Sequence, residues 1–265
     1  MTTKISFLRF GKGIGATTTI LTVAHLLSEY GKRVIIRDFS DQADATTFLL
    51  PEGAFTKDAS TIAGIIRRGL RAPAACYKTK YEGIHVMPLK REDEQLEDRD
   101  FFDLSRRDLN FIKALEKELH PNFILDDLPD MGPLEGTLHG NYALVSISTS
   151  KYTIVFLNGD EMIEQAISDS QALKSLTDFK PLEGAKCLGY IFLKSKPYFD
   201  GHDSIMRRTE EVLKKEGIDL IGSIEANDAI SSIFRSGHLP TEPQYREFRK
   251  LDPAPYEKIA LKLLN

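Results

Sequence analysis

The sequence predicts an α/β fold, a mostly parallel sheet with helices on both faces. Three observations lead to this prediction. Strand-like and helix-like segments alternate along the chain, a glycine-rich turn joins the first strand to the first helix, and 42% of the 265 residues are hydrophobic. Such alternation is typical of parallel sheets whose two faces are covered. Because a chain of this length can bury a sizeable core as one unit, we expect a single domain over residues 1–265.

Each element is predicted from its own pattern. The helix predicted for residues 17–30 has apolar residues at helical spacing, among them Ile20, Val23 and Leu27, and Gly31 is a typical residue to end it. Further helices are predicted at residues 61–70, 104–118, 154–177, 204–216 and 255–264. Short apolar runs predict strands at residues 4–10, 33–36, 84–88, 123–125, 143–147, 186–193 and 220–224. Residues 226–255 are rich in proline, glycine and charge, and we expect a long surface loop with short helical turns there.

The composition narrows the class of function. A net charge of −4 gives no general attraction to nucleic acid, so DNA binding would need a local basic patch. The two cysteines, Cys76 and Cys187, lie far apart and lack metal-ligand spacing, which is typical of a reduced, cytoplasmic protein. No segment approaches the ~20 apolar residues that span a bilayer.

Residues 11–18, Gly-Lys-Gly-Ile-Gly-Ala-Thr-Thr, stand between the first strand and the first helix. Such a turn gathers backbone N–H groups around one point, where the helix dipole also favours negative charge. Gly13 and Gly15 would let the backbone approach a phosphate, and Thr17 would offer its hydroxyl to Mg²⁺. A standard phosphate loop has a lysine where this chain has Ala16. Alone, the segment indicates either a phosphate site or a glycine-rich turn without a ligand.

Two aspartates follow predicted strands. Asp38 comes shortly after the strand at 33–36, and Asp127 comes shortly after the strand at 123–125. Ligands of parallel sheets bind at the carboxyl ends of the strands, so both carboxylates are expected to lie beside Thr17. Together these oxygens could hold Mg²⁺, directly or through water.

The same segments resemble the ParA/MinD family, the deviant Walker-A ATPases. Residues 31–44 resemble the family's Gly-Lys-Arg-Val-Leu-Leu-Ile-Asp-x-Asp-Pro-Gln-Gly-Asn, with Asp38 on its first aspartate. Residues 121–129 resemble its Walker-B segment, with Asp127 on the aspartate. Residues 186–193 and 223–227 resemble its late strand and the segment that flanks adenine. The resemblance covers essentially the whole chain in the family's order. The carboxysome-positioning McdA branch also lacks the signature lysine of the loop.

This resemblance implies a P-loop NTPase that binds ATP and Mg²⁺. The implied metal ligands are Thr17, Asp38 and Asp127, with Asp38 also catalytic. The implied nucleotide-binding residues are Gly11, Lys12, Gly13, Ile14, Gly15, Ala16, Thr17, Thr18, Asp127, Lys151, Glu225 and Asn227.

The chain departs from the family at the charged positions of the loop. Gly11 stands at the signature lysine, Ala16 at the P-loop lysine, and Ser40 at the second aspartate. Two lysines are candidates to replace the lost charge at the phosphates and in catalysis, although either could equally be a surface lysine. Lys12 lies inside the loop. Lys151 follows the strand predicted at 143–147, in a segment that the family places at its dimer face. Slow or partner-stimulated hydrolysis is expected, with binding retained.

The resemblance further implies a homodimer with ATP sandwiched between subunits, non-specific binding to nucleoid DNA, and a small adaptor or stimulator protein. The cargo would be a plasmid, a chromosome region or a carboxysome. The candidate DNA-binding residues are Arg235, Arg246, Arg249 and Lys250, with solvated surface charge as the alternative. The last predicted helix is expected to pack on the domain rather than on a membrane. Two other functions stay open: a nucleotide-binding scaffold in pilus or secretion machinery (TadZ/CpaE-like), and an ATP-using ligase of the dethiobiotin-synthetase type.

Overall fold

A computed structural model defines the fold over most of the chain. It describes residues 2–9, 15–40, 42–51, 53–54, 60–62, 64–65, 72–89, 101–130, 138–158, 186–194, 207, 211, 214–215, 219–225, 227–248 and 254–265. Within them, strands occur at β1 (Thr3–Arg9), β2 (Val34–Asp38), β3 (Tyr77–Lys78), β4 (Ile84–Pro88), β5 (Phe123–Asp130), β6 (Tyr152–Asn158), β7 (Lys186–Lys194) and β8 (Leu220–Glu225). They form one sheet in the order β3-β4-β2-β5-β1-β6-β7-β8.

The sheet is parallel at every pairing of these strands except β3 with β4. The described helices are α1 (Ala16–Glu29), α2 (Asp44–Leu49), α3 (Phe101–Leu119), α4 (Leu138–Thr149), α5 (Asp228–Arg235), α6 (Pro243–Phe248) and α7 (Ala254–Leu264). Helices α1 and α7 pack on one face of the sheet, and α3 and α4 pack on the other. The predicted fold class is therefore confirmed. Across the described ranges, every helix is too short or too polar to cross a membrane.

Two neighbouring elements were predicted wrongly. Residues 143–147 are helical, within α4, and residues 154–158 belong to strand β6. A short apolar run does not distinguish a buried helix from a buried strand, and Val145 and Ile147 are buried much like Ile154 and Val155. The hydroxyls of Ser148 and Thr149 are within hydrogen-bond distance of the Val145 carbonyl in the preceding turn, so these polar residues fit a helix. The aromatic and β-branched residues of β6 suit a central strand.

The remaining predictions agree with the structure where it describes them. Strands β1, β2, β4, β5, β7 and β8 and helices α1, α3 and α7 lie where the patterns place them, although β5 continues to Asp130. Helix α2, strand β3 and a 3₁₀ turn at Ala72–Ala75 were not predicted. Most of the helices predicted at 61–70 and 204–216 lies outside the described residues. Residues 226–255 contain α5 and α6, which are more regular than the expected short turns.

A buried ionic network joins the sheet to α3 and α4. Arg37 of β2 is fully buried, and its Nε donates to Asp126 of β5 at 2.7 Å while its NH1 donates to Asp108 of α3. Lys4 of β1 donates to Asp108 at 3.2 Å and to the carbonyl of Ser146 in α4 at 2.9 Å. The network therefore ties three central strands to both helices of that face.

Charge pairing in this network outweighs the cost of burial for Asp108. Burial alone would raise the pKa of Asp108, but Arg37 and Lys4 hold that pKa well below its ordinary value. For Lys4, burial and the nearby Arg37 charge lower the pKa. Asp108 therefore remains ionised at neutral pH.

Candidate functional site

Three chain segments meet at the carboxyl edge of the sheet. Strand β1 ends at Arg9, and α1 begins at Ala16 after Gly15. In the neighbouring strands, Asp38 of β2 stands directly opposite Asp127 of β5, and the Phe39 N–H donates to the Asp127 carbonyl at 2.9 Å. The convergence predicted from the strand ends is thus present in the fold.

The start of α1 has a conformation that suits the helical end of a phosphate loop. Gly15 has φ +85°, a left-handed conformation that favours glycine. It carries no side-chain cap, so N–H groups of the first turn of α1, where Thr17 and Thr18 lie, are available to an anion. Ala16 is buried and brings no charge. Gly11, Lys12, Gly13 and Ile14, which were predicted to bind nucleotide, lie outside the described residues.

Thr17 and Asp127 form a hydroxyl–carboxylate pair. The Thr17 Oγ1 donates to Asp127 Oδ2 at 2.7 Å, and both side chains are buried. Asp127 Oδ1 has no hydrogen-bond partner in the described part of the chain. Burial raises the pKa of Asp127 to about 7; Arg9 opposes this shift and Asp38 adds to it. A free carboxylate oxygen beside a hydroxyl fits Mg²⁺, a hard cation that prefers oxygen ligands.

Asp38 has a different position in the site. Its Oδ1 accepts from the N–H and hydroxyl of Ser40, and its Oδ2 accepts from the N–H and hydroxyl of Thr46. Its pKa is raised by burial, against those hydrogen bonds. Four accepted hydrogen bonds use the four lone-pair directions of a carboxylate, so this geometry does not favour direct metal ligation. Asp38 instead holds Ser40 and the first turn of α2 at the edge of the site.

Sequence reasoning missed Arg9, the last residue of β1. Its NH1 donates to Thr17 Oγ1 at 3.1 Å and lies 3.8 Å from Asp127 Oδ1. The side chain is 13% exposed, and its buried Nε has no hydrogen-bond partner among the described residues. The sequence did contain one signal for it, because Arg9 is a cation at the carboxyl end of the first strand, immediately before the glycine-rich segment.

The fold was compared with known proteins. No protein-family model and no curated protein sequence matches the chain. Among solved structures, apo McdA from Cyanothece has a TM-score of 0.78 at 16% identity, covering 99% of this chain and 100% of McdA. The cell division ATPase MinD from Pyrococcus furiosus has a TM-score of 0.69 at 18% identity, covering 100% of this chain and 99% of MinD. A plasmid partition protein from Borrelia burgdorferi, bound to AMPPNP, has a TM-score of 0.71 at 15% identity, covering 99% and 98%.

The chain has the ParA/MinD-type P-loop fold. The likeness extends over nearly the full length of all three proteins, so it includes the sheet edge that carries Thr17, Asp38 and Asp127. At these identities the comparison establishes the fold alone. The function must be argued from the residues of the site.

Within this ParA/MinD-type fold, Lys151 lies at the wrong edge for a phosphate ligand. It precedes β6 instead of following a strand, and its N–H donates to the carbonyl of Lys4 near the start of β1. The phosphate loop follows the opposite end of β1, about 20 Å away for seven extended residues. Lys151 is exposed, and its ammonium lies 5.0 Å from the Tyr152 ring centre. Lys151 therefore cannot replace a loop lysine within its own chain, and its reach to the phosphates across a dimer interface stays a prediction.

The other predicted ligands lie further along the carboxyl edge. Glu225 ends β8, and its side chain lies outside the described part. Asn227 caps α5, where its side chain accepts from the Ala229 N–H at 2.8 Å.

Of the residues predicted to contact DNA, Arg235 is exposed in the last turn of α5. The backbone of Arg246 lies in α6, while its side chain, and all of Arg249 and Lys250, lie outside the described residues.

Proposed function

We propose that the chain is an ATP-binding member of the ParA/MinD family. The observation that carries the proposal is the Thr17–Asp127 pair. A hydroxyl in the first turn of α1 donates to a buried strand-end carboxylate whose other oxygen accepts no hydrogen bond from the described residues. A purely structural pair would gain nothing from such an oxygen, because a buried acceptor without a hydrogen bond costs stability. A bound cation would satisfy it, and the N–H groups that follow Gly15 would bind the phosphates.

Each residue of the proposed site would have its own role in binding Mg²⁺ and ATP. When bound, Mg²⁺ would neutralise charge on the β- and γ-phosphates. Thr17 and Asp127 would hold it, and the first turn of α1 would orient the phosphate chain. Asp38 would keep Ser40 in place, whereas the family has an aspartate at the Ser40 position. Because Ala16 and Ser40 remove one cation and one carboxylate, we expect slow or partner-stimulated turnover.

We further propose a role in positioning a cargo. In this account ATP closes a homodimer in the cytoplasm, the dimer binds nucleoid DNA without sequence preference, and a small adaptor protein stimulates release. The cargo would be a plasmid, a chromosome region or a carboxysome. Arg235, exposed at the end of α5, and the arginines and lysine that follow it are the proposed DNA contacts. The fold shared with McdA and with a plasmid partition protein supports this proposal.

A second function, a nucleotide-binding scaffold in pilus or secretion machinery, is favoured by one observation. The buried, uncharged Ala16 replaces the lysine that assists phosphoryl transfer. ATP turnover separates the two functions.

We expect ATP with Mg²⁺ to convert the purified chain from monomer to dimer, and DNA to raise a low basal turnover. The checks are light scattering after size-exclusion chromatography, and phosphate release with and without plasmid DNA. A Thr17→Ala variant should remain monomeric. Thr2→Ala, which changes a threonine on the opposite edge of the sheet, is the matched control. ATP binding without turnover under any condition would favour the scaffold, and absence of ATP binding would contradict both.

A further inference from the structure

The Arg9 guanidinium lies between the end of β1 and the first turn of α1, and its Nε has no hydrogen-bond partner among the described residues. We propose that Arg9 supplies the positive charge at the nucleotide phosphates that a lysine at position 16 supplies in a standard phosphate loop. This inference rests on the proposed ATP site. It concerns an additional ligand within that site.

The position of Arg9 favours this role. As the last residue of β1, it is anchored by the sheet: its Cα pairs with Asp130 of β5 and with Phe156 of β6. Its side chain turns toward the first turn of α1, where NH1 lies 3.1 Å from Thr17 Oγ1. In P-loop proteins this hydroxyl helps to hold the Mg²⁺ of the nucleotide, so the guanidinium lies beside the place where the phosphates would bind.

Arg9 also has donors to offer. Its buried Nε has no hydrogen-bond partner among the described residues, and NH1 is 3.8 Å from Asp127 Oδ1, beyond hydrogen-bond distance. An unpaired buried N–H is costly, and a bound phosphate oxygen would satisfy it. The planar guanidinium fork matches phosphate oxygens in two parallel bonds, which a lysine cannot form.

The charges around the site require a cation of this kind. Asp38 and Asp127 are both fully buried at the edge that would receive a triphosphate, and Ala16 contributes no charge. If Thr17 and Asp127 held Mg²⁺, the Thr17 hydroxyl would no longer be needed as an acceptor for Arg9, and the guanidinium would be available to phosphate oxygens. In the nucleotide-free chain, Arg9 instead offsets the charge of Asp127.

The test measures affinity for labelled nucleotides of different phosphate number. Mant-ATP, mant-ADP and mant-AMP are titrated, with Mg²⁺, into the wild-type chain and into Arg9→Gln, Arg9→Lys and Lys12→Gln. Arg33→Gln is the matched control, because it removes one positive charge from an exposed residue at the opposite edge. Thermal unfolding of each variant establishes that it is folded.

We expect Arg9→Gln to weaken mant-ATP binding about 10- to 100-fold, the usual effect of losing a charge-assisted contact. The loss should be smaller for mant-ADP and absent for mant-AMP. Arg9→Lys should retain most of the affinity, and Arg33→Gln all of it. If Arg9 had only a structural role, its replacement would weaken the binding of all three nucleotides equally. That result would overturn the inference.

Two other results would also overturn it. Unchanged mant-ATP binding by Arg9→Gln, or a phosphate-dependent loss confined to Lys12→Gln, would show that Arg9 is not the phosphate cation, while the proposed ATP site would stand. If the folded wild-type chain binds none of the three nucleotides, the proposed function fails, and the inference fails with it.

Discussion

An Arg37→Leu variant is expected to lose about 3–5 kcal/mol of unfolding free energy, because removing one partner of a buried ion pair leaves uncompensated charge. Arg37 is fully buried between Asp108 and Asp126. Without it, the positive charge that the described residues bring to these two buried carboxylates is that of Lys4, 3.2 Å from each. Since the free energy of unfolding of a native domain is about 5–15 kcal/mol in total, the variant would be marginally stable. Urea unfolding at pH 7 measures the change.

The control for this prediction is Arg33→Leu, in which an exposed arginine near the start of the same strand is replaced; we expect a change within about 0.5 kcal/mol. The pH dependence gives a second check. The pKa of Asp108 is held below its ordinary value of 3.8, so its contribution to stability is present above that value and is lost as the pH falls further. The Arg37→Leu variant should lose this acid dependence. A loss below about 1 kcal/mol at pH 7 would contradict the assignment.

The network matters to the site because Asp126 and Asp127 are consecutive in β5. Successive side chains of a strand point to opposite faces, so Asp126 meets Arg37 on one face and Asp127 meets Thr17 on the other. The ionic network thus fixes the strand that carries the proposed metal ligand.

An Asp127→Asn variant is expected to be more stable than the wild type and unable to bind Mg²⁺–ATP tightly. The carboxylate is fully buried, lies near Asp38, and has one oxygen that accepts no hydrogen bond from the described residues, so burial makes its charge unfavourable in the nucleotide-free fold even with Arg9 3.8 Å away. Replacing it with a neutral amide should add about 1–3 kcal/mol at pH 8. Loss of a charged oxygen ligand should weaken Mg²⁺–ATP binding by about 100-fold or more. Urea unfolding and calorimetric titration measure the two effects.

The sign of the pH dependence separates this explanation from general repacking. With the pKa of Asp127 raised to about 7, the penalty of its charge is fully present above pH 7 and fades as the pH falls toward 3.8. The gain from asparagine should therefore be larger at pH 8 than at pH 6. The neighbouring Asp126→Asn should have the opposite sign, since Asp126 is bound to Arg37. A stability loss in Asp127→Asn at pH 8 would contradict the account.

The sequence was sufficient to predict the sheet, the helix that begins at Ala16, and the meeting of Asp38 with Asp127. An apolar run that ends in an aspartate is a strong local signal for a strand, and segments with helical spacing separate these runs. In a parallel sheet the carboxyl ends of such strands lie at the same edge. The motif could not show that the Asp38 carboxylate accepts hydrogen bonds from Ser40 and Thr46, because these bonds depend on how the turn before α2 folds.

Other features depend on tertiary contacts that no local pattern contains. The run at 143–147 suits a helix and a strand equally, and the wrong choice misplaced Lys151 by the length of the sheet. Arg9 and Arg37 are arginines in apolar runs, where only the fold shows what faces them. Arg37 faces carboxylates from two other elements, and Arg9 faces the first turn of α1.

The most direct test of the central claim, an ATP site built on Thr17 and Asp127, is a calorimetric titration of ATP into the wild-type chain with Mg²⁺ present and with Mg²⁺ chelated. The account predicts one nucleotide per chain with a Kd at or below about 1 mM, in the usual range for nucleotide substrates. It predicts that chelation or Thr17→Ala largely removes this binding. A folded wild-type chain that takes up no ATP at millimolar concentration, or that binds it equally without Mg²⁺ and without the Thr17 hydroxyl, would contradict it.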